Sequence, residues 1–172
     1  MKRIFVLILT VMMVFCSCSK KDDSAFPTTP DKIVVGADGV ELELLPDSKE
    51  FDKVYSGICG RVEKSGGFQT ASLYAYDPVT KKHLSEDLRE SEAFIEFVYN
   101  ESSTQTITKA EPYGETSTKE ITVQKLFFPL GEEYYECFFI GNDAEYKSSS
   151  TFGILLEDTT LEAYVRELVA EK

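Results

Sequence analysis

The sequence is poor in the residues and motifs on which much enzyme chemistry depends. It has no tryptophan and only one histidine in 172 residues. It contains no HExxH, GxSxG, P-loop or GxGxxG motif, and these are the patterns that order many metal, nucleophile and nucleotide sites. Basic residues are also in the minority, with 18 lysines and arginines against 30 acidic residues. Because ordinary nucleic-acid binding depends on basic surfaces that face phosphate, that class of function is excluded.

The single histidine, His83, gives no sign of a catalytic site. It lies in the polar stretch "KKHLSED", where we expect a solvated hairpin and not the cleft that a nucleophile-activating histidine needs. No CxxC pair or Cys/His cluster indicates zinc, and "GADGVELE" lacks the alternating ligands of a calcium loop. We therefore expect no catalytic residue, no metal ion and no cofactor.

The first 17 residues have the layout of a secretory signal peptide. Lys2 and Arg3 precede residues 4–15, which are apolar except for Thr10. A membrane-spanning helix needs roughly 20 apolar residues, so this run is too short to span a bilayer. A positive segment, a short apolar segment and small residues at a cut site are typical of a signal peptide. We expect residues 1–17 to be removed.

Residues 14–18 read Val-Phe-Cys-Ser-Cys and resemble the lipobox of bacterial lipoproteins. The resemblance implies cleavage before Cys18 and attachment of two or three acyl chains at that residue. Two or more chains anchor a protein stably, whereas one chain gives only marginal membrane binding. The resemblance thus implies a lipoprotein of the bacterial cell envelope, anchored to a membrane through Cys18 and exposed outside the cytoplasm. The alternative is an ordinary secreted protein with Cys18 in a disulfide.

Residues 18–31 are predicted to be the lipidated cysteine and a flexible tether. Pro27 and Pro30 lie among serines and threonines, a composition that favours extended chain and cannot build a core. In some bacteria an acidic stretch after the lipidated cysteine directs export to the cell surface. The stretch "SKKDD" is similar to it, which leaves surface exposure open.

Residues 32–172 have the length of one globular domain. Because residues 1–17 contain only two charges, Lys2 and Arg3, their removal would leave 16 basic against 30 acidic residues, a net charge of −14. Such a charge favours solubility through self-repulsion, or provides an acidic face for a cationic partner. It disfavours adhesion to anionic headgroups, so the acyl chains must hold the protein on the membrane. A protein or other cell-envelope partner remains open.

The hydrophobic pattern predicts an α+β domain. Apolar residues on one helical face predict helices at about 48–64 and 159–170. Short apolar and alternating segments separated by turn residues predict six to eight strands in a mainly antiparallel sheet. A turn is expected at residues 100–103 and a loop at residues 111–119. The segments from which these six to eight strands are drawn are residues 33–35, 40–44, 71–76, 83–84, 93–99, 104–108, 121–130, 134–140 and 151–156.

Two of these strands are apolar on both faces. Only Glu136 interrupts residues 134–140, and only Glu96 interrupts "AFIEFVY" at residues 93–99. A sheet with one face in water should instead alternate cleanly. Three explanations remain open: the sheet curls and covers itself, helices lie on both faces, or a partner covers the second face.

Two cysteines and four aromatic residues are the candidate site residues within the domain. An exported domain permits a Cys59–Cys137 disulfide, and two buried thiols are the alternative. Tyr74 and Tyr76 share one strand face, and paired aromatics can form a platform for sugar or peptide. Tyr134 and Phe138 lie on the second apolar face of their own strand. We take these four aromatics as a candidate binding surface, although ordinary sheet packing is the commoner reason for such pairs.

These observations favour a non-catalytic interaction or ligand-binding domain carried by a membrane-anchored lipoprotein. The alternative is a small acidic hydrolase or sugar-modifying enzyme of the cell envelope, because paired acids such as Glu132-Glu133 could flank a sugar. A scaffold with no small ligand is a third hypothesis. The C-terminal pattern "FFPLGEEYYECFFIG…STFGILLEDTTLEAYVREL" is similar to the ends of uncharacterised bacterial lipoprotein domains, and no residue role is transferred from that similarity.

Overall fold

The chain folds into a mainly antiparallel sheet packed by helices, which is the α+β class that the sequence predicts. The structure is a computed structural model, and it describes residues 26–65, 67–70, 75–77, 79–142, 146, 150–153 and 158–171. The strands are β1 Lys32–Ala37, β2 Val40–Leu44, β3 Gln69–Thr70, β4 Tyr76–Asp77, β5 Lys82–His83, β6 Phe94–Ala110, β7 Thr116–Pro129, β8 Cys137–Gly141 and β9 Ser150–Gly153. The helices are α1 Lys49–Lys64, α2 Leu84–Ser91 and α3 Thr159–Ala170.

Seven strands form the main sheet in the order β2-β1-β6-β7-β8-β9-β3, and β4 pairs with β5 in a separate small ladder. Every pair of neighbouring strands is antiparallel. β1 and β2 join through Asp38 and Gly39, whose φ angles of 51° and 76° match the left-handed turn that suits a two-residue hairpin. Both strands were predicted, and they pair directly as a hairpin.

Both predicted helices are confirmed, and a side chain caps the start of each. The Ser48 hydroxyl accepts a hydrogen bond from the Phe51 amide at 3.1 Å, and the Asp158 carboxylate accepts one from the Leu161 amide at 3.0 Å. Each bond satisfies an amide in the first turn that has no partner within the helix. None of the helices in the described ranges is long and apolar enough to cross a membrane.

The main core lies between one face of the sheet and helices α1 and α3. Alternate residues of the central strands point to this face, which we call the first face, and apolar stripes of the two helices pack against them. The buried members include Ile33, Val35, Ile95, Phe97, Leu126, Phe128, Phe138 and Ile140 from the sheet and Phe51, Val54, Ile58, Leu161 and Val165 from the helices.

The second face of the sheet is also covered, and a helix covers part of it. Phe94, Phe127 and Phe139 point to this face and form a smaller cluster with Leu88 of α2 and with Ala75 and Tyr146. The sequence left three explanations for strands that are apolar on both faces. The structure supports the second of them, because helices lie on both faces of the sheet. The sequence predicted α1 and α3 but not α2 at residues 84–91, and the return strand predicted at residues 83–84 is present as β5, paired with β4.

The hairpin of β6 and β7 is longer than predicted. β6 runs without a turn through residues 100–103, and β7 begins at Thr116, inside the predicted loop. The polar residues at 100–103 form a bulge instead. Between the pairs Val98–Lys125 and Ser103–Val123, β6 advances by five residues while β7 advances by two. The extra residues are accommodated on one strand, so the chain stays in the sheet.

Residues 26–31, which the sequence assigned to the tether, pack on the domain; we call them the lead-in segment. Pro27 and Pro30 are buried, and the Phe26 ring lies 5.7 Å from the rings of Phe68 and Phe138. The predicted tether boundary at residue 31 is therefore too late, because aromatic packing extends the folded body back to Phe26.

Candidate functional site

A polar pocket of about 470 Å³ lies between the lead-in segment and the bulge of β6. We call it the lead-in pocket. Most of its lining residues carry hydroxyl, amide or carboxylate groups: Thr28, Thr29, Asp31, Tyr99, Asn100, Glu101, Ser103 and Thr104. A bulge is a common device beside functional sites because it turns the backbone and side chains away from the regular ladder. Here it opens space between two segments that would otherwise continue as neighbouring strands.

Two tyrosines and a buried glutamine hold the lead-in segment in place. The Tyr99 hydroxyl donates to the Thr28 carbonyl at 2.8 Å, and the Tyr55 hydroxyl donates to the Pro27 carbonyl at 2.9 Å. The Thr28 amide donates to Oε1 of Gln105, a residue that is only 3% exposed, at 3.1 Å. These bonds satisfy backbone groups that have no strand partner, so the wall of the pocket is fixed by specific contacts.

Burial keeps both tyrosines in the form that can donate. It raises the pKa of Tyr55 to about 12, and it raises the pKa of Tyr99 as well. Loss of water around a phenolate disfavours the charged form. Both hydroxyls therefore stay protonated across the physiological range and continue to hold the lead-in segment.

Asp31 connects the lead-in segment to the bulge from the other side. Its amide donates to the Val98 carbonyl at 3.0 Å, and its Oδ2 accepts from the Asn100 amide at 2.7 Å. Asp31 thus makes hydrogen bonds both to Val98, the last paired residue of β6 before the bulge, and to Asn100 within the bulge. Its second carboxylate oxygen, together with the exposed carboxylate of Glu101, gives the pocket a negative character, because no lysine or arginine is among the described residues that line it.

A second cluster of polar side chains lies on the second face of the sheet, around Glu96. This glutamate is 3% exposed, and its Oε1 lies 2.6 Å from Nη2 of Arg89 and 3.8 Å from Nζ of Lys125. The Tyr146 hydroxyl donates to the same oxygen at 2.8 Å. Arg89 also reaches Glu41 at 2.8 Å. We call these five residues the Glu96 cluster.

The Glu96 cluster has the properties of a structural ion pair. Burial lowers the pKa of Arg89, but the charges and hydrogen bonds of Glu96 and Glu41 together outweigh that effect, so the pKa is raised. Burial, followed by the charge of Glu96, raises the pKa of Tyr146 well above its usual value. Arg89 also packs 4.8 Å from the centre of the Phe94 ring. Opposite charges with hydrogen bonds can occupy an apolar face in this way, since neither charge is left unpaired.

His83 is buried, contrary to the prediction of a solvated hairpin. It is 1% exposed, stacks on Tyr146 with 5.0 Å between ring centres, and meets the Phe139 ring edge-on at 5.1 Å. Its Nδ1 accepts a hydrogen bond from the Ser85 amide at 3.1 Å, and its own amide donates to Glu86 at 3.2 Å. This reciprocal arrangement is a capping box, and it explains why a helix begins where the polar sequence suggested a turn.

The structure does not bring the four candidate aromatics into one surface. Phe138 is completely buried in the main core, so its assignment to a surface was wrong. Tyr134 is half-buried and packs against the smaller cluster on the second face. Tyr76 is half-buried in β4, opposite His83, and Tyr74 lies outside the described residues. Tyr134 lies in the turn before β8, which begins at Cys137, so strand alternation could not place it on the same face as Phe138.

Cys59 and Cys137 are free thiols, so the disulfide that the sequence left open is not formed. The Cys59 thiol interacts with the hydroxyl of Tyr55, and burial raises its pKa. Cys137 instead faces β9, where a Cβ atom on Gly153 would lie 4.0 Å from its sulfur, and burial raises its pKa too. The two thiols therefore contact different residues, Tyr55 in one case and Gly153 of β9 in the other. Cys18, the expected lipidation site, lies outside the described residues.

The described part of the chain contains no group of three or more histidine, cysteine or acidic residues placed to hold a metal ion. Comparisons with models of protein families, with curated proteins and with solved structures find no match for this chain.

Sequence reasoning missed the residues that form the two polar sites. Glu96 did carry a signal, because a single acid inside an apolar strand requires a partner once the strand is buried. Thr28 and Asp31 carried none, because a proline-containing polar segment has no periodicity that would place it against a strand about 70 residues away.

Proposed function

We propose that this chain is a lipid-anchored protein of the bacterial cell envelope whose non-catalytic domain binds a small ligand in the lead-in pocket. The lipobox-like sequence that ends at Cys18 supports the anchor. The observation that carries the binding role is the pocket itself, which is built by the bulge of β6 and closed by the segment that leads back to Cys18.

The chemistry of the pocket favours a neutral or positively charged ligand that donates hydrogen bonds. Its lining supplies threonine, serine and tyrosine hydroxyls, the Asn100 amide and the two carboxylates of Asp31 and Glu101. Since the lining contains no cation, an anionic ligand would meet repulsion without compensation. A small amine with several donors fits this set best.

The anchor is tested by comparing membrane partitioning of the full-length chain with its Cys18→Ala and Cys16→Ala variants. We expect the natural chain and Cys16→Ala to stay in the detergent-soluble membrane fraction, and Cys18→Ala to lose the acyl chains. The neighbouring cysteine is the matched control, because it differs from Cys18 by only two positions. Retention of Cys18→Ala in the membrane, or equal loss of both variants, would contradict anchoring at Cys18.

The ligand class is tested by calorimetry with three probes: spermidine as a polyamine, glucose as a neutral polyol and citrate as an anion. We expect binding of spermidine to exceed that of glucose, and citrate not to bind. Glu101→Gln should weaken spermidine binding by about 1 kcal/mol, roughly fivefold in Kd, which is the scale of one charge pair near the surface. The control is Glu120→Gln, an exposed acid on the same hairpin that does not line the pocket. Equal effects of the two variants, or tighter binding of citrate, would rule out this assignment.

A further inference from the structure

The tip of the β6–β7 hairpin holds an aromatic side chain fully in solvent. Tyr113 is 103% exposed and lies in the turn Pro112–Gly114 with φ 69° and ψ 19°. This left-handed backbone conformation is unfavourable for residues other than glycine, and more so for a bulky one. Single exposed aromatics need no explanation by themselves, but one that is held out in a strained turn is a reason to look for a function.

The turn that carries Tyr113 is braced on both sides. The Glu111 amide donates to the Glu115 carbonyl at 2.9 Å. Oε1 of Glu111 accepts from the Ser117 hydroxyl at 2.8 Å and from Lys109 at 3.0 Å. These contacts, the Ser117 bond first, lower the pKa of Glu111, so the carboxylate stays charged and the brace stays formed. The position of Tyr113 is thus set by the fold and does not depend on a loose loop.

The hairpin tip and the start of the domain lie at the same end of the sheet. Phe68 donates its amide to the Thr108 carbonyl and accepts from the Ala110 amide, both at 2.8 Å. The Phe68 ring packs 5.7 Å from the ring of Phe26, where the described chain begins. Tyr113 is three residues beyond Ala110, a distance of at most about 11 Å along the chain.

The length of chain before Phe26 limits how far this end can be from a membrane. Phe26 follows Cys18 by eight positions, a span of at most about 28 Å when the chain is fully extended. If Cys18 carries the lipid, Phe26 must stay within that distance of the bilayer surface, and the tip lies near Phe26 at the same end of the sheet. A tether this short makes weak contacts with the surface effective, because it keeps the tip at high local concentration.

The charges of the tip are also compatible with a lipid surface. Residues 109–119 contain two lysines and two glutamates, whereas the whole chain has a net charge of −12. The tip therefore avoids the repulsion that anionic headgroups impose on the rest of the domain. Tyrosine rings favour the boundary between headgroups and acyl chains, where the apolar body and the hydroxyl are both accommodated.

We propose that the β6–β7 hairpin tip docks on the bilayer to which the chain is anchored, with the Tyr113 ring in the headgroup region. This inference rests on the proposed lipid anchor at Cys18. Docking at the tip gives the domain two points of contact with the membrane, the acyl chains and Tyr113. Two contacts fix the orientation of the domain, which a single flexible tether would leave free.

The chain has no tryptophan, so a Tyr113→Trp variant carries a single fluorescent reporter at the tip. The full-length variant is purified in detergent and reconstituted into phosphatidylethanolamine and phosphatidylglycerol vesicles, with and without lipids brominated on the acyl chain near the headgroup. The control is Val40→Trp, a half-exposed position opposite Ala37, at the end of the sheet where β6 begins. Circular dichroism checks that both variants keep the fold.

We expect Tyr113→Trp emission to shift to shorter wavelength and to be quenched at least twofold by the brominated lipid, with Val40→Trp unchanged. Equal quenching of both variants, or water-like emission from both, would overturn docking at the tip. Mass spectrometry of the same samples separates the two proposals. Acylated protein without quenching contradicts only the docking of Tyr113, whereas protein without acyl chains at Cys18 contradicts the proposed anchor and the docking together.

Discussion

The ion pair between Arg89 and Glu96 predicts how much a substitution on the second face of the sheet destabilises the protein. Arg89→Met removes the guanidinium that lies 2.6 Å from Glu96, while the methionine keeps apolar contact with Phe94. The Glu96 side chain is 4% exposed, and among the described residues it would keep Tyr146 and the more distant Lys125 at 3.8 Å. Removing one partner of a buried ion pair costs about 3–5 kcal/mol, and here the Glu96 charge would lose its nearest compensating group.

The double variant Arg89→Met with Glu96→Gln shows whether the lost stability comes from the buried Glu96 charge. Adding Glu96→Gln to Arg89→Met removes the unpaired charge and keeps an oxygen that can accept from the Tyr146 hydroxyl. We expect it to restore stability to within about 2 kcal/mol of the natural chain, since neutral replacements of buried pairs are well tolerated. The coupling between the two positions should exceed about 1 kcal/mol, as is usual for side chains in direct contact.

The measurement is the free energy of unfolding from urea titrations followed by far-UV circular dichroism. Urea is uncharged and does not screen ion pairs. Arg166→Met is the matched control, because Arg166 pairs with Asp38 and Glu162 on the surface and its side chain is 39% exposed. Exposed pairs contribute about 1 kcal/mol or less. If Arg89→Met costs no more than Arg166→Met, or if the effects of Arg89→Met and Glu96→Gln simply add, the assignment of a buried structural pair is wrong.

Three further comparisons test other parts of the structure by the same unfolding measurement. His83→Asn should cost about 1 kcal/mol less than His83→Ala, because asparagine can still cap α2; equal costs would contradict the cap. Phe138→Ala should lower the free energy of unfolding by about 3–5 kcal/mol as a core truncation, well above the cost of Tyr134→Ala. A small cost would contradict the burial of Phe138 in the main core. Burial, followed by nearby acids, raises the pKa of Glu92 above its usual 4.5. The folded state thus binds the Glu92 proton more tightly than the unfolded state does. The ionised Glu92 side chain therefore lowers the free energy of unfolding once the pH rises through its pKa and above. Glu92→Gln should therefore stabilise the protein at neutral pH, with the gain disappearing in acid; a gain that does not depend on pH would contradict the burial of a charge.

The elements that the sequence predicted well are those in which local pattern and tertiary environment agree. α1 and α3 each have an apolar stripe and a side-chain cap, and β1 and β2 are joined by a turn whose residues tolerate left-handed backbone. In these segments, the neighbours along the chain already determine which face is buried. Their boundaries therefore differ from the predicted ones by only a residue or two.

The elements that were missed depend on contacts between distant residues. α2 is capped by His83, which is an unusual capping residue, and its short apolar stripe is completed by Phe94 and Phe127. Residues 100–103 have the composition of a turn, yet strand β7 continues alongside and converts them into a bulge. Tertiary pairing overrides local preference in such cases.

The lead-in pocket was beyond sequence reasoning for the same reason. Thr28 and Tyr99 meet across a separation of 71 residues, and the segment containing Thr28 has the composition of a tether. Its place against β6 is set by Tyr55, Tyr99 and Gln105. The anchor, by contrast, is a prediction that depends only on consecutive residues near Cys18, which is why sequence alone could propose it.

The most direct test of this account is the mass of the N-terminal peptide of the protein isolated from its native membranes. The account predicts a peptide that begins at Cys18 and carries acyl chains on that residue. A peptide that begins at Cys18 without acyl chains, or one that still contains residues 1–17, would contradict the anchor and, with it, the docked orientation proposed for the domain.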